Sequence, residues 1–309
     1  MPEPLISVVL PTHNRAALLR RSLASVLAQT HRNLELIVVN DASTDETIAT
    51  LDAVRDPRLR VITRRQSSGA AAARNAGIAV ACGQYVAFQD DDDIWLAQKL
   101  ERQLYALRSR PDAEWCIGCH IRLEPLAVRY IGGEWFIRQF DYREGAGVRR
   151  PDWSLIATPG WLLQRAALEA VGGFDERIRS YDDWELGLRL FRRAAPVIVD
   201  EPLWWQDRWS GSGLIRQSRS RAQDLRIIME RHGQFWATRP DVRARHWRMS
   251  GRILSLEDPA PAGRAELKQA LREQPFSVSS WLALAASYLG REWNRRLTSL
   301  FRALRGALP

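Results

Sequence analysis

The sequence predicts an α/β fold: a mostly parallel, Rossmann-like sheet with helices on both faces, followed by a C-terminal helical extension. Three observations predict it. Ile6-Ser7-Val8-Val9-Leu10 and Leu34-Glu35-Leu36-Ile37-Val38-Val39 are short, near-continuous apolar runs, the pattern of strands buried on both faces. Between them Leu18, Leu19, Leu23, Val26 and Leu27 recur at helical spacing, so strand, helix and strand follow one another as in a parallel crossover unit. A third strand pattern, Gln84-Tyr85-Val86-Ala87-Phe88, runs straight into four consecutive aspartates, Asp90 to Asp93.

Each connection has its own signal. Pro11-Thr12-His13-Asn14-Arg15 breaks the first strand before the helix. Asn40 to Glu46 follows the second strand, with Ser43 or Asp45 as the expected cap of the next helix. Gly69 to Gly77 is a run of small residues around Arg74 and Asn75, which lets a helix start pack closely against the sheet. The aspartates precede an apolar turn at Ile94-Trp95-Leu96. In parallel sheets ligands bind outside the carboxyl ends of the strands, so the loops at Pro11, Asn40 and Gln89 fall on the ligand edge.

The aspartate run carries most of the chemical information. Like charges at that density repel, and a folded chain tolerates them where a cation, hydrogen bonds or open water offset the cost. An oxygen-rich cluster at a strand end suits Mg²⁺ or Mn²⁺, which take their other ligands from water and substrate phosphates. A solvated acidic loop is the plain alternative, weakened by the apolar strand and helical pattern on either side.

Composition agrees. At 309 residues and 46% apolar content the chain supports one large domain with an appendage, or two domains, divided here into 1–215 and a basic helical region over 216–309. Residues 1–215 hold 27 Lys or Arg against 28 Asp or Glu, and residues 216–309 hold 18 against 8, or +10. A basic patch alone suggests nucleic acid, but no binding motif accompanies it and the acidic cluster repels phosphates, so no nucleic-acid partner is expected. Cys82, Cys116 and Cys119 do not make a disulfide framework, and the CxxC pair reads as strand packing. Met1-Pro2-Glu3-Pro4 leads directly into the first strand without a signal-peptide pattern, and no apolar run spans a bilayer, so a cytoplasmic protein is expected. Trp293, Leu297, Leu300, Phe301 and Leu304, interspersed with arginines, form a basic amphipathic pattern suited either to the inner face of an anionic membrane or to a protein surface.

Four pieces in order, Ser7 to Arg15, Val39 to Asp45, Gly69 to Gly77 and Tyr85 to Trp95, resemble the inverting family 2 glycosyltransferases of the GT-A fold; Gly172 to Glu176 and Asp182-Asp183-Trp184 extend the match. The resemblance implies transfer of a sugar from a nucleoside-diphosphate donor, UDP by family frequency, to a glycan or lipid-linked acceptor in cell-surface polysaccharide or lipopolysaccharide synthesis. It also implies that Pro11, Thr12 and Asp41 hold the base and ribose and that Arg74 lines the nucleotide pocket, with Asn14, Arg15, Ser43, Asp90 and Asp91 grouped on the same side. Asp90 and Asp92 match the Asp-x-Asp metal signature, with the register within Asp90 to Asp93 open, and Asp183, beside Asp182, matches the base. Trp184 and Trp209 are the acceptor candidates, since aromatic faces cover sugar rings. The sequence departs from the pattern at Ala42, where glycine is common, and at Trp209, where a histidine is common. A sugar nucleotidyltransferase shares the sheet but needs a glycine-rich loop after the first strand, which Pro11 to Arg15 is not.

Overall fold

The computed structural model describes residues 3–124, 127–133, 157–207, 218–237, 240–257 and 261–289. The chain divides into two compact units, residues 1–176 with 182–213, and residues 177–181 with 214–309. The short excursion of 177–181 carries no sequence signal.

The first unit is built on one sheet. Strands β1 (Ile6–Thr12), β2 (Leu34–Asn40), β3 (Leu59–Thr63) and β4 (Tyr85–Phe88) are mutually parallel in the order β3-β2-β1-β4. Beyond β4 the order continues with β8 (Trp161–Gln164), β6 (Trp115–Glu124), β9 (Val197–Asp207) and β5 (Ile94–Trp95), while β7 (Ala127–Ile131) pairs with the distal half of β6. Strands β6 and β9 run with the first four, and β8, β7 and β5 run against them. The expected apolar turn at Ile94 is therefore a two-residue strand whose partners, Trp204 and Trp205, lie more than a hundred positions away.

Period-two alternation sends the side chains to two cores. Val9, Ile37, Val39 and Phe88 face one core, which Ala71 and Ala73 of α3 (Ala70–Ile78) and Leu186 and Leu190 of α6 (Asp182–Arg193) complete; α5 (Arg165–Val171) adds Leu168. Val8, Leu10, Leu36 and Val38 face the other, closed by Leu19, Leu23 and Val26 of α1 (Ala16–Leu27), Leu51 of α2 (Thr47–Asp52) and Leu100, Leu104 and Leu107 of α4 (Lys99–Arg108). Helices thus cover both faces, as the uninterrupted apolar strands require. The small residues of α3 act as expected: a Cβ on Gly77 would lie 2.4 Å from Val9 Cγ1, so only glycine lets this helix sit so near β1. Cys116 and Cys119 are both buried and unoxidised in β6, and their odd spacing sends them to opposite cores, so the CxxC pair shares no ligand.

The second unit is helical: α7 (Ser218–Arg231), α8 (Gly233–Ala237), α9 (Pro240–Glu257), α10 (Pro261–Glu273) and α11 (Val278–Tyr288). A Cβ on Gly251 would meet the Gly263 carbonyl at 2.8 Å, so α9 and α10 cross at glycine-limited distance. Asp224 of α7 accepts the Arg179 and Ser180 amides, which ties 177–181 into this unit.

Candidate active site at the carboxyl edge of the sheet

The ends of β1, β2 and β4 lie side by side: Thr12 is in register with Asn40, and Val9 with Phe88. The loops that follow converge there, and two arginines organise the carboxylates.

Arg15 sits at the start of α1. Its Nη1 donates to Asp91 Oδ1 at 2.9 Å and to Asp92 Oδ2 at 2.6 Å. Asp91 also accepts from Thr12 Oγ1 at 2.9 Å. Burial pushes the Asp91 carboxyl up to about 7, with Arg15 opposing and Asp92 adding to the rise. Asp92 is raised too, by burial and then by Asp90, again against Arg15.

Arg74, in α3, forms the second group. Nη1 donates to Asp182 Oδ2 at 2.5 Å and Nη2 to Asp90 Oδ1 at 2.7 Å, and the guanidinium stacks on the Phe174 ring at 5.3 Å. One buried side chain therefore joins the aspartate loop to the start of α6, two segments that the chain separates by about ninety positions. Asp182 and Asp183 occupy the first turn of α6, where the helix dipole favours negative charge. Burial nevertheless raises both: Arg74 opposes the rise at Asp182, and Asp182 itself adds to it at Asp183. Asp182 is committed to Arg74, whereas Asp183 Oδ1 accepts from the amide of Trp184 at 2.7 Å.

The third group frames the pocket. Asp41 is buried, and its two carboxylate oxygens accept from Ser67 Oγ (2.8 Å), Ser68 N and Gly69 N (2.9 Å). It locks the loop before α3 to the end of β2. Asn14 Oδ1 accepts from Thr44 N at 2.7 Å, Ser43 Oγ accepts from Asn14 N at 3.0 Å, and His13 Nδ1 lies 2.7 Å from the Asp41 carbonyl. The expected capping role falls to Asp45, which accepts from Thr47 N and also from Ala16 N, so it serves α2 and α1 at once. Ser43 instead braces Asn14. Ala42 takes a left-handed φ of 59°, a conformation that explains why glycine suits this position.

Asp90, Asp92 and Asp93 can each present a carboxylate oxygen within 4.8 Å of the others. An all-oxygen donor set of this span fits Mg²⁺ or Mn²⁺. Asp91, alternating away from them to Thr12 and Arg15, does not join that group. Asp93 falls within the register left open by the sequence; it is buried, and its Oδ1 accepts from Asp207 N at 3.1 Å at the end of β9. Nothing in a run of four identical residues marks it.

Residues 7–172, more than half of the chain, match the model of glycosyl transferase family 2. The chain belongs to that family. Among relatives of this family 2 glycosyltransferase, GlyG of Streptococcus pneumoniae is 31% identical over 219 residues, 67% of this chain and 72% of its own. The Escherichia coli UDP-Glc:alpha-D-GlcNAc-diphosphoundecaprenol beta-1,3-glucosyltransferase WfgD is 40% identical over 104 residues, 34% of this chain and 41% of its own; this chain spans about two fifths of that relative. In fold, the chain matches S. aureus TarS 1-349 in complex with UDP-GlcNAc at a TM-score of 0.66 with 16% identity, covering 95% of this chain and 91% of that one. It also matches the mannosyltransferase PcManGT of Pyrobaculum calidifontis, in complex with GDP-Man and Mn²⁺, at 0.57 with 19% identity over 96% and 84% of the two chains.

One expectation needs correcting. Trp184 is 2% exposed, so its ring is interior and offers no open face to a sugar; it follows the acidic pair into the body of α6. The other acceptor candidate, Trp209, lies outside the described residues, as do 291–309. His31 is buried, with Nε2 3.0 Å from the Pro4 carbonyl. Among the described residues no helix is long and apolar enough to cross a membrane.

Proposed function

We propose that this chain transfers a sugar, with inversion, from a nucleoside-diphosphate donor to a hydroxyl of a glycan or lipid-linked acceptor in the synthesis of a cell-surface polysaccharide. The observation that carries the reading is Arg74, which holds Asp90 of the aspartate loop and Asp182 of α6 within one guanidinium's reach. It brings a leaving-group site and a base within one edge. UDP is the proposed carrier, supported by the UDP-Glc named for WfgD and the UDP-GlcNAc bound by TarS.

Thr12, Pro11, Asn14, Ser43 and Asp41 shape the wall against which the base and ribose bind. Asp41 contributes by fixing Ser67 to Gly69. Arg74, paired with Asp90, and Arg15, paired with Asp91 and Asp92, supply positive charge beside the diphosphate. Asp92, Asp90 and Asp93 are the residues that would hold Mg²⁺ or Mn²⁺, which when bound neutralises charge on the departing phosphate as a Lewis acid. Asp183 takes the acceptor proton as the hydroxyl attacks the anomeric carbon, because an alcohol is a poor nucleophile at neutral pH. Its raised affinity for protons suits that task. A single base on the face opposite the leaving group yields inversion.

The reading puts the enzyme at the cytoplasmic face of the membrane, where lipid-linked acceptors are elongated, with the basic pattern of 291–309 as one peripheral contact. The test is a product analysis with a panel of UDP-sugars and lipid-diphosphate-sugar acceptors. A new glycosidic bond of configuration opposite to the donor's, absent with Asp183→Asn, is the expected result. Retained configuration overturns the displacement mechanism, and pyrophosphate release from a sugar phosphate and nucleoside triphosphate assigns a nucleotidyltransferase instead.

A further inference from the structure

The helical unit carries a surface for which the donor site has no use. Six of the eleven exposed large apolar side chains among the described residues fall between 276 and 289: Phe276, Val278, Trp281, Leu282, Tyr288 and Leu289. Scattered single exposures need no explanation, but a cluster of this kind does. Helix α11 turns Ser280, Leu284 and Ser287 inward, and its spacing puts Val278, Trp281, Leu282 and Leu289 on the outer face. Phe276, just before the helix, is 96% exposed and Trp281 is 56% exposed. The Trp281 indole N–H donates to the Pro275 carbonyl at 2.8 Å, so the ring is held in place at the surface.

A row of cations joins this stripe. Arg264, Lys268 and Arg272 recur every four residues along α10 and, with Ala265 and Tyr288, line a shallow hollow of about 300 Å³. Tyr288 stands seven residues after Trp281 and so on the same face of α11, and the Arg264 guanidinium lies 4.3 Å from its ring centroid. Row and stripe therefore meet at Tyr288. The acids of α10 do not cancel the row, because Glu266 pairs with Arg226 and Glu273 with Arg243 on the neighbouring helices.

We infer that this face of α10 and α11 rests on the surface of an anionic lipid bilayer. Trp, Phe and Leu side chains insert at the boundary between headgroups and acyl chains, and Arg and Lys beside them meet the anionic headgroups. A Tyr or Trp, apolar in body and polar at one atom, is suited to that boundary. Charge complementarity selects this occupant over a second copy, which brings more cations to a face already rich in them; the whole of 216–309 stands at +10. The inference rests on the peripheral-membrane part of the reading above and assigns it to residues distinct from 291–309.

The test uses the full chain in co-sedimentation with vesicles of phosphatidylcholine, alone or with one third phosphatidylglycerol. The expected result is a half-saturating lipid concentration at least ten-fold lower on the anionic vesicles. Phe276→Glu with Trp281→Glu, and separately Lys268→Glu with Arg272→Glu, should each raise it ten-fold or more while leaving UDP binding in the presence of Mn²⁺ unchanged. The milder Trp281→Ser with Leu282→Ser gives a graded loss if the glutamate pair misfolds. Wild-type protein that stays in the supernatant overturns the inference, as does vesicle binding that none of the variants weakens, which moves the contact elsewhere in the chain. A solution dimer that Trp281→Glu dissociates overturns it as well, by assigning the face to a second copy. Loss of UDP binding with vesicle binding intact contradicts the donor site and leaves the membrane face standing.

Discussion

Arg15 and Arg74 both bridge pairs of aspartates at the same sheet edge, yet they stand in different surroundings. The Arg74 side chain is nearly enclosed, rests on Phe174 and ties the aspartate loop to α6. Arg15 is more open and binds two adjacent residues, Asp91 and Asp92, one of which belongs to the group able to hold a cation. The same chemistry therefore serves two ends. A buried arginine with carboxylates from distant segments ties those segments together, and a less enclosed one pairs two residues adjacent in the chain, one of them in the group able to hold a cation. Burial, and the chain separation of the partners, make the difference.

The comparison breaks first at Arg74. Arg74→Ala leaves Asp90, Asp182 and Asp183 crowded without their counter-charge, and breaking a buried pair of this kind costs about 3 to 5 kcal/mol. Urea unfolding should show that loss together with loss of activity; a variant of wild-type stability would mean that the frame does not depend on this residue. Next comes Asp183→Asn, which should lower kcat by about 10²- to 10⁴-fold, the usual range for a positioned base, with donor KM little changed. Burial and Asp182 raise the Asp183 carboxyl, so the base is protonated at acid pH and activity should appear as pH rises through a value well above the ordinary carboxylate range. A limb near pH 4 contradicts this environment.

Lys99 is a control for the comparison, a basic side chain as enclosed as Arg74 but, among the described residues, with no carboxylate partner. Its Nζ donates to Gln103 Oε1 at 2.7 Å and lies 4.0 Å from the Trp95 ring, and burial lowers its pKa to about 7. The folded state then holds this proton less tightly than the unfolded chain. Stability should rise as pH increases from about 7 towards 10, by about 1.4 kcal/mol per pH unit from this group, and the gain is lost as pH falls back through 7. Lys99→Met should remove that slope in thermal unfolding across pH 7 to 9; an unchanged slope assigns it to other groups. A smaller stability loss than that of Arg74→Ala is expected for Arg15→Gln, because the amide keeps a donor beside Asp91 and Asp92 and Asp91 retains Thr12. Its consequence should appear in nucleotide affinity instead, and a stability loss as large as that of Arg74→Ala would erase the distinction between the two arginines.

The parallel half of the sheet was legible because its strands are apolar throughout and its loops hold Pro, Gly, Asn and Asp at the breaks. What followed β4 was not. Ile94-Trp95 is too short to read as a strand, and only Trp204 and Trp205, far along the chain, make it one. In the site, the identities of Arg15, Arg74, the aspartate run and Asp182-Asp183 could be read, but their pairings could not. Residue type does not say that Asp91 turns to Thr12 while Asp93 joins the group able to hold a cation, because four identical residues differ only in the backbone beneath them. Asp41 shows the same limit: its position pointed to the nucleotide, whereas its oxygens hold Ser67, Ser68 and Gly69. Trp184 was misread because an aromatic beside an acidic pair is equally at home in a groove or in a core, and helical phase put it in the core.

The central claim is that the edge organised by these arginines is a metal-dependent nucleoside-diphosphate site. Calorimetric titration of the purified chain with UDP, GDP, dTDP and CDP, each with and without Mn²⁺, and repeated on Asp92→Ala, tests it most directly. The account predicts Mn²⁺-dependent binding of one diphosphate, UDP, that the substitution abolishes while leaving the fold intact. Absence of binding to all four in both conditions, or binding of equal strength to Asp92→Ala, would contradict it.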